Sequence, residues 1–148
     1  MRTVLFVCTG NTCRSPMAEG LAAAYAKANK LDVFVASAGV AAVDGMPTSP
    51  ETVEALHRLG IEFQGHSIPL TADMIVKADV VYCMTASHLA AAQAVLGRLE
   101  GDHAEVSDRI QLLQSSGDVG DPIGSSQKVY DALAKHLQPI IEDHMSQV

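Results

Sequence analysis

The first fifteen residues hold a thiol and a guanidinium at a spacing that can do covalent chemistry together: Cys8 and Arg14, within Cys8-Thr9-Gly10-Asn11-Thr12-Cys13-Arg14-Ser15. The nucleophilic form of cysteine is the thiolate, and a free thiol with pKa ~8.5 is mostly protonated at neutral pH. The positive end of a helix, with backbone N–H groups converging on one point, favours the anion. Ser15-Pro16 reads as the start of such a helix, with serine suited to the N-cap and proline to the first helical position. The loop after Cys8 must therefore fold back onto a helix N-terminus. That geometry is a nest for a phosphate dianion. Gly10 is expected to take a positive φ without penalty, and Asn11 is one of the few other residues that tolerates one. Arg14 adds a planar fork suited to two phosphate oxygens. A Cys-x5-Arg spacing alone arises by chance. Here it follows directly on the apolar run Val4-Leu5-Phe6-Val7 and ends in Ser-Pro. The bland alternative, a packed cysteine in a tight strand-to-helix turn, gives Arg14 no reason to turn inward.

The elements that position the loop are legible in the apolar pattern. Val4 to Val7 is continuous, as in a strand buried on both faces. A helix from Ser15 carries Met17, Leu21, Ala24 and Ala28 at helical spacing, with Lys27 and Lys30 near its negative end. Residues 32–37 read as the second strand. Thr48 and Glu51 have capping-box spacing, which predicts a helix from Ser49 to Leu59, ended by Gly60. The segment from His66 to Leu70 is irregular, and Thr71 caps a short helix to Lys77. Residues 78–84 form the third strand and 87–96 a helix, with a weaker strand near Ala104-Glu105-Val106. A Gly- and Ser-rich loop spans 115–126, and the last helix begins after Ser125. That helix presents Tyr130, Leu133, Leu137 and Ile140 or Ile141 to the core. Pro139 falls inside it and predicts a kink or break near Gln138. Strands alternating with helices give one α/β domain over residues 1–148: an open four-stranded parallel sheet with helices on both faces. Ligands of such sheets bind beyond the carboxyl ends of the strands, where Cys8 stands.

Bulk properties narrow the function classes. At 148 residues, 48% apolar and 18% charged, the chain is an ordinary globular domain. No stretch reaches the roughly 18 apolar residues of a membrane helix, so no membrane partner is expected. The N-terminal apolar run meets Cys8-Thr9-Gly10-Asn11 instead of a cleavage site, and is expected to be a buried strand and not a signal peptide. A net charge of −7 with ten scattered basic residues argues against nucleic acid as a partner. Three cysteines, Cys8, Cys13 and Cys83, point to a reducing, cytoplasmic setting. No Cys-x-x-Cys or His-x-x-x-His spacing marks a metal site. Nothing in the pattern points to a particular oligomeric state.

Several segments in order carry a resemblance. The stretch from Val7 through Cys8-Thr9-Gly10-Asn11-Thr12-Cys13-Arg14-Ser15 to Pro16-Met17-Ala18-Glu19 resembles the signature of the low-molecular-weight protein-tyrosine phosphatase family. Ser37-Ala38-Gly39, Gly65-His66-Ser67, Cys83-Met84-Thr85 and Asp121-Pro122 resemble further segments of that family. The resemblance implies a metal-independent and cofactor-free phosphatase acting on phosphorylated proteins, with phosphate as product. By it, Cys8 attacks phosphorus and forms a phosphocysteine. Arg14 and the N–H groups of the loop from Thr9 to Ser15 hold the phosphoryl oxygens, and Asp121 is general acid and then base. Ser15 eases thiolate departure, and Asn11 is held by Ser15, Ser37 and His66. Cys13 is expected to pack at the helix start, and five residues from Cys8 it could form a protective disulfide under oxidation, as in some relatives. The other histidines, His88 among them, form no spacing that marks a site.

Two positions bear on the substrate. Relatives acting on phosphotyrosine often carry a larger aliphatic residue where Thr12 stands, and threonine resembles the bacterial branch acting on phosphoarginine. A hydroxyl there can bond a water or a polar guanidinium, which a methyl cannot. Ile123 stands where many relatives have an aromatic residue that would stack on a substrate ring. The balance leans to phosphoarginine over phosphotyrosine. Arsenate reductases of the same fold need two further cysteines in the second half of the chain, where only Cys83 is available. A non-catalytic phosphate-binding module would have no need of Cys8 or Asp121.

Overall fold

The computed structural model describes all residues from 1 to 148. Strand β1 (Arg2–Cys8) contains the continuous apolar run and lies inside the sheet, paired on both sides. Its side chains alternate between two cores, as the pleat dictates. Val4, Phe6 and Cys8 enter one, Leu5 and Val7 the other. The parallel neighbours are β2 (Val33–Gly39) on one side and β3 (Val80–Cys83) on the other, with β4 (Ile110–Leu112) beyond β3, giving the order β2-β1-β3-β4.

Helices α1 (Arg14–Ala28), α2 (Pro50–His57) and α6 (Gln127–Ser146) cover the Cys8 face. Helices α3 (Ala72–Lys77) and α4 (Ala86–Leu96) cover the other. This is the expected open parallel sheet with helices on both faces.

Four local expectations change. The fourth strand is not at 104–106: those residues open the short helix α5 (Ala104–Ser107), whose first N–H is taken by Asp102 Oδ1 at 3.0 Å, and the strand is β4. Three residues are too few for a period-2 pattern to stand out. The buried stripe of α1 runs through Met17, Ala18, Leu21, Ala22 and Ala26, leaving Ala28 exposed. In an alanine-rich helix, apolar character alone does not choose the face. The cap of α2 is Ser49, which accepts the Thr52 N–H, while the Thr48 hydroxyl accepts the Gly65 N–H at 3.0 Å and ties down a neighbouring loop. Finally, α6 continues through Pro139 to Ser146. Pro139 lies on the exposed side, where water can serve the carbonyl that loses its donor.

The carboxyl edge of the sheet is where the elements converge. Cys8 lies in register with Gly39, and Met84 donates its N–H to the Val7 carbonyl at 3.1 Å. Gly39 is needed for this convergence. A Cβ there would overlap the Thr9 carbonyl oxygen and sit 2.9 Å from Ala42 Cβ and 3.0 Å from the Asn11 nitrogen. The obstacle is mostly backbone and cannot swing aside. Gly39→Ala is expected to cost about 1–3 kcal/mol by overpacking. Urea denaturation measures this, and an unchanged midpoint would mean that the loop yields freely.

Candidate active site

Cys8 is the last residue of β1 and is 2% exposed. Its Sγ lies 2.9 Å from Ser15 Oγ, one residue inside α1. Between them the chain reverses at Asn11, whose φ is +57°. Gly10, expected to share the left-handed turn, does not adopt a positive φ; the asparagine alone carries it. The Asn11 amide fixes this conformation from three sides. Nδ2 donates to Ser15 Oγ at 2.7 Å and to Ser37 Oγ at 2.9 Å, and Oδ1 accepts the Ile68 N–H at 2.9 Å. Ser15, bonded in this way, keeps its own hydrogen for Cys8 Sγ. Ser37 donates onward to Glu19 Oε1 at 2.5 Å.

The start of α1 differs from the expected serine cap. Cys13 occupies the N-cap position and offers no side-chain cap bond. None of the backbone N–H groups from Thr9 to Cys13 donates to a protein acceptor. These residues line a cavity of ≈160 Å³ whose wall runs from Cys8 to Arg14 and is completed by Asp121 and Ile123. The loop is braced from behind by α2, since the Ser49 N–H donates to the Thr12 carbonyl at 2.9 Å. The cavity presents a sulfur at its floor and backbone donors around it, an arrangement that accepts a tetrahedral anion.

Arg14 and Asp121 come from distant parts of the chain and meet at this cavity. The Arg14 guanidinium is buried, with Nη1 donating to the Val119 carbonyl at 3.0 Å and Nη2 to Thr9 Oγ1 at 3.3 Å. Asp121 Oδ2 lies 3.5 Å from Nη2 and is about half exposed. The segment carrying Asp121 is pinned to the sheet: the Val119 N–H donates to the Met84 carbonyl at 2.8 Å, and Asp118 Oδ1 takes the Ala86 N–H at 2.8 Å. Asp121 then closes its own turn by accepting the Ile123 N–H at 3.1 Å. Thr12 stands in the cavity wall and Ile123 at its rim, 68% exposed.

His66 is not where the resemblance put it. Its side chain is exposed and makes none of the Asn11 hydrogen bonds; the backbone N–H of Ile68, two residues on, takes the amide oxygen instead. Three contributors were not singled out from sequence. Glu19 is one helical turn beyond Ser15, a spacing that places both on one face. Val119 contributes only its carbonyl, which no sequence pattern marks. His88 is buried, with Nε2 2.7 Å from Thr9 Oγ1. Cys13 packs at the helix start, its Sγ 3.5 Å from both Ser49 Oγ and Tyr130 Oη. Burial pushes the Cys83 thiol up to about 12, and Cys83 does not line the cavity, so it offers no reactive relay. No group of three or more His, Cys, Asp or Glu side chains is arranged to hold a metal ion.

Burial raises the Glu19 carboxyl above the ordinary range, partly offset by the Ser37 hydroxyl. A raised carboxyl means the folded state holds its proton more tightly than the unfolded chain. Stability from this group is therefore present at acid pH and lost as pH rises through the folded-state pKa. Glu19→Gln keeps an acceptor for Ser37 and removes the titration. The gap in melting temperature, variant minus parent, is expected to grow from mildly acid to neutral pH. A pH-independent gap would show that Glu19 ionises without cost.

Comparison with known proteins gives the same answer over the whole chain. The family model for low molecular weight phosphotyrosine protein phosphatase matches residues 3–148. A protein-arginine-phosphatase of Bacillus subtilis strain 168 is 37% identical over 145 residues, covering 98% of this chain and 95% of its own. Among solved structures, a YwlE arginine phosphatase mutant with a phosphorylated active site serine superposes with a TM-score of 0.89 at 35% identity, covering 98% of this chain and 94% of that one. A low molecular weight protein tyrosine phosphatase from T. tengcongensis superposes with a TM-score of 0.88 at 36% identity, each chain covered in full. With a match over all but the first two residues, the chain belongs to the low molecular weight phosphotyrosine protein phosphatase family and is a cysteine-dependent protein phosphatase.

Proposed function

We propose that this phosphatase removes phosphate from phosphoarginine on proteins through a phosphocysteine at Cys8. The observation that carries the chemistry is the convergence of Cys8 Sγ, the unpaired loop N–H groups and Arg14 on one small cavity. At ≈160 Å³ it lies below the roughly 300–1,000 Å³ of most ligand pockets, which suits a phosphoryl group with the rest of the substrate outside.

In the first step the Cys8 thiolate attacks phosphorus. The bond to the leaving nitrogen breaks with its electron pair, and that atom takes a proton from Asp121. Arg14 and the backbone N–H groups from Thr9 to Ser15 hold the equatorial oxygens as charge spreads over them. In the second step Asp121, now a carboxylate, takes a proton from water as it attacks phosphorus. The S–P bond breaks, inorganic phosphate leaves, and the Ser15 hydroxyl stabilises the returning thiolate. Asn11 and Ser37 keep the loop in shape for both steps. The three cysteines are free thiols, and a thiolate nucleophile works best in a reducing compartment, which supports a cytoplasmic setting.

The substrate reading rests on Thr12 in the cavity wall, on the non-aromatic Ile123 at its rim and on the likeness to relatives named protein-arginine-phosphatases. Phosphotyrosine is the second reading, favoured by relatives named protein-tyrosine-phosphatases, such as PtpB of Staphylococcus epidermidis at 27% identity.

Two measurements test these statements. Cys8→Ser is expected to lower turnover of p-nitrophenyl phosphate at least ~10⁴-fold while retaining vanadate binding. Surviving turnover would sink the covalent mechanism. Thr12→Ile is expected to shift the ratio of kcat/KM between phosphoarginine and phosphotyrosine peptides towards tyrosine by about 10- to 100-fold. A ratio that does not move would remove Thr12 from substrate choice.

A further inference from the structure

His88 is the buried side chain that the mechanism above leaves without a task. It lies in the first turn of α4, with its backbone N–H on the cap residue Thr85, and its ring turns towards the phosphate loop. Nε2 is 2.7 Å from Thr9 Oγ1, and the same oxygen receives Arg14 Nη2 at 3.3 Å. Nδ1 is buried and has no partner.

Donor and acceptor counting fixes the state of this chain. Arg14 can only donate, so one lone pair of Thr9 Oγ1 is taken. Burial first, and the Arg14 charge second, hold the His88 imidazole below its ordinary pKa, against weaker opposing pulls from Asp118 and Asp121. The ring is therefore neutral at neutral pH and carries one N–H. On Nδ1 that hydrogen would be a buried, orphaned donor. On Nε2 it donates to Thr9 Oγ1 and leaves only an unused lone pair, the less costly defect. The Thr9 oxygen then accepts from both sides, and its own hydrogen is free to turn into the cavity that Thr9 lines.

We propose that His88 is a positioning residue for the phosphate clamp: as a neutral Nε2–H imidazole it anchors the Thr9 hydroxyl, and through it the Arg14 guanidinium. This rests on the reading of Arg14 as the clamp. Arg14 has three contacts, to the Val119 carbonyl, to Thr9 and to Asp121. Asp121 is half exposed and is needed for proton transfer, so a fixed guanidinium depends on the other two. Val119 is held by the sheet, and His88 does the same for Thr9 from the helix side. The loop thus takes its curvature from Asn11 and its guanidinium aim from His88, through different helices.

The test uses the intact protein, with inorganic phosphate as competitive inhibitor and p-nitrophenyl phosphate as substrate. Removing one hydrogen bond to a charge-bearing network is expected to raise both the phosphate Ki and KM about tenfold in His88→Ala. His88→Gln, whose amide nitrogen reaches the place of Nε2, is expected to recover most of that loss. Thr9→Val should reproduce the His88→Ala effect, and the double variant should be no weaker than the weaker single one, because the two act in series. An unchanged Ki in His88→Ala, with only a lower melting temperature, overturns the proposal, as do independent, multiplying effects in the double variant. If His88→Ala fails to fold, Thr9→Val decides alone, and an unchanged Ki overturns it. Arg14→Lys separates the two readings. If it leaves the phosphate Ki unchanged, the clamp itself is misassigned; if it weakens phosphate while His88→Ala does not, only the role of His88 falls.

Discussion

Asn11 holds a left-handed backbone that costs most L-residues about 1–2 kcal/mol, asparagine being among the least penalised. The conformation persists because its amide is bonded to α1 through Ser15, to β2 through Ser37 and to the loop before α3 through Ile68. Removing any of these would let the loop relax towards an ordinary strand-to-helix turn. Its N–H groups would then lose their common aim. The bonds also have a fixed direction. Because the amide nitrogen donates to both serines, Ser15 can donate to Cys8 Sγ and Ser37 must look elsewhere for an acceptor, which it finds in Glu19. One side chain thereby sets the curvature of the cradle and leaves the Ser15 hydrogen free to meet Cys8.

Electrostatics follow from that shape. The chain carries a net charge of −7, yet the cavity is lined by donors. A buried guanidinium is expensive unless its N–H groups are bonded. Arg14 meets this with a carbonyl and a hydroxyl, neutral partners that satisfy hydrogen bonds without cancelling charge. The carboxylate within ion-pair distance, Asp121, stands 3.5 Å away and half in solvent, where its pull is screened. The positive field therefore survives locally in an acidic protein. A neutral His88 fits the same pattern, since a second cation beside Arg14 would work against the burial of both.

What was legible in the sequence followed from strong local physics. A four-residue apolar run leading into Cys8, Ser-Pro at a helix start and the capping Thr71 pointed to the sheet, most helices and the place of the site. Arg14 stood out by its spacing from Cys8 and Asp121 through the family resemblance, and the fold brings both to one cavity. Errors gathered where the signal was weak or shared. β4 has three residues, and α1 is rich in alanine, so neither displays its face. Gly10 and Asn11 both permit a left-handed turn, and only the tertiary bonds of the asparagine amide choose between them. The resemblance assigned His66 to the Asn11 amide, but its oxygen accepts the backbone N–H of Ile68, which no sequence pattern marks. Val119 was invisible in principle because it acts through a carbonyl that every residue has. His88 offered a type without a spacing, since its partner Thr9 is 79 residues away.

The register of β1 joins these observations. Side chains alternate along a strand, so a slip of one residue would turn Cys8 from the α1, α2 and α6 face to that of α3 and α4, away from every donor in the cradle. β1 is fixed against such a slip by seven aligned residues on β2 and four on β3, and by Asp79 Oδ2 accepting the Thr3 N–H at 2.7 Å. Each neighbour also delivers part of the site at its own carboxyl end. β2 ends in Ser37 and Gly39, one bonding Asn11 and the other lying under the Thr9 carbonyl, while β3 leads into Met84, whose carbonyl pins Val119 and with it Asp121. A thiol placed on the last residue of the most constrained strand inherits that precision directly, where a loop position would add the mobility of every residue between. The ladder that buries the core and the geometry that would bring sulfur to phosphorus are in this sense one constraint, expressed at the two ends of the same seven residues.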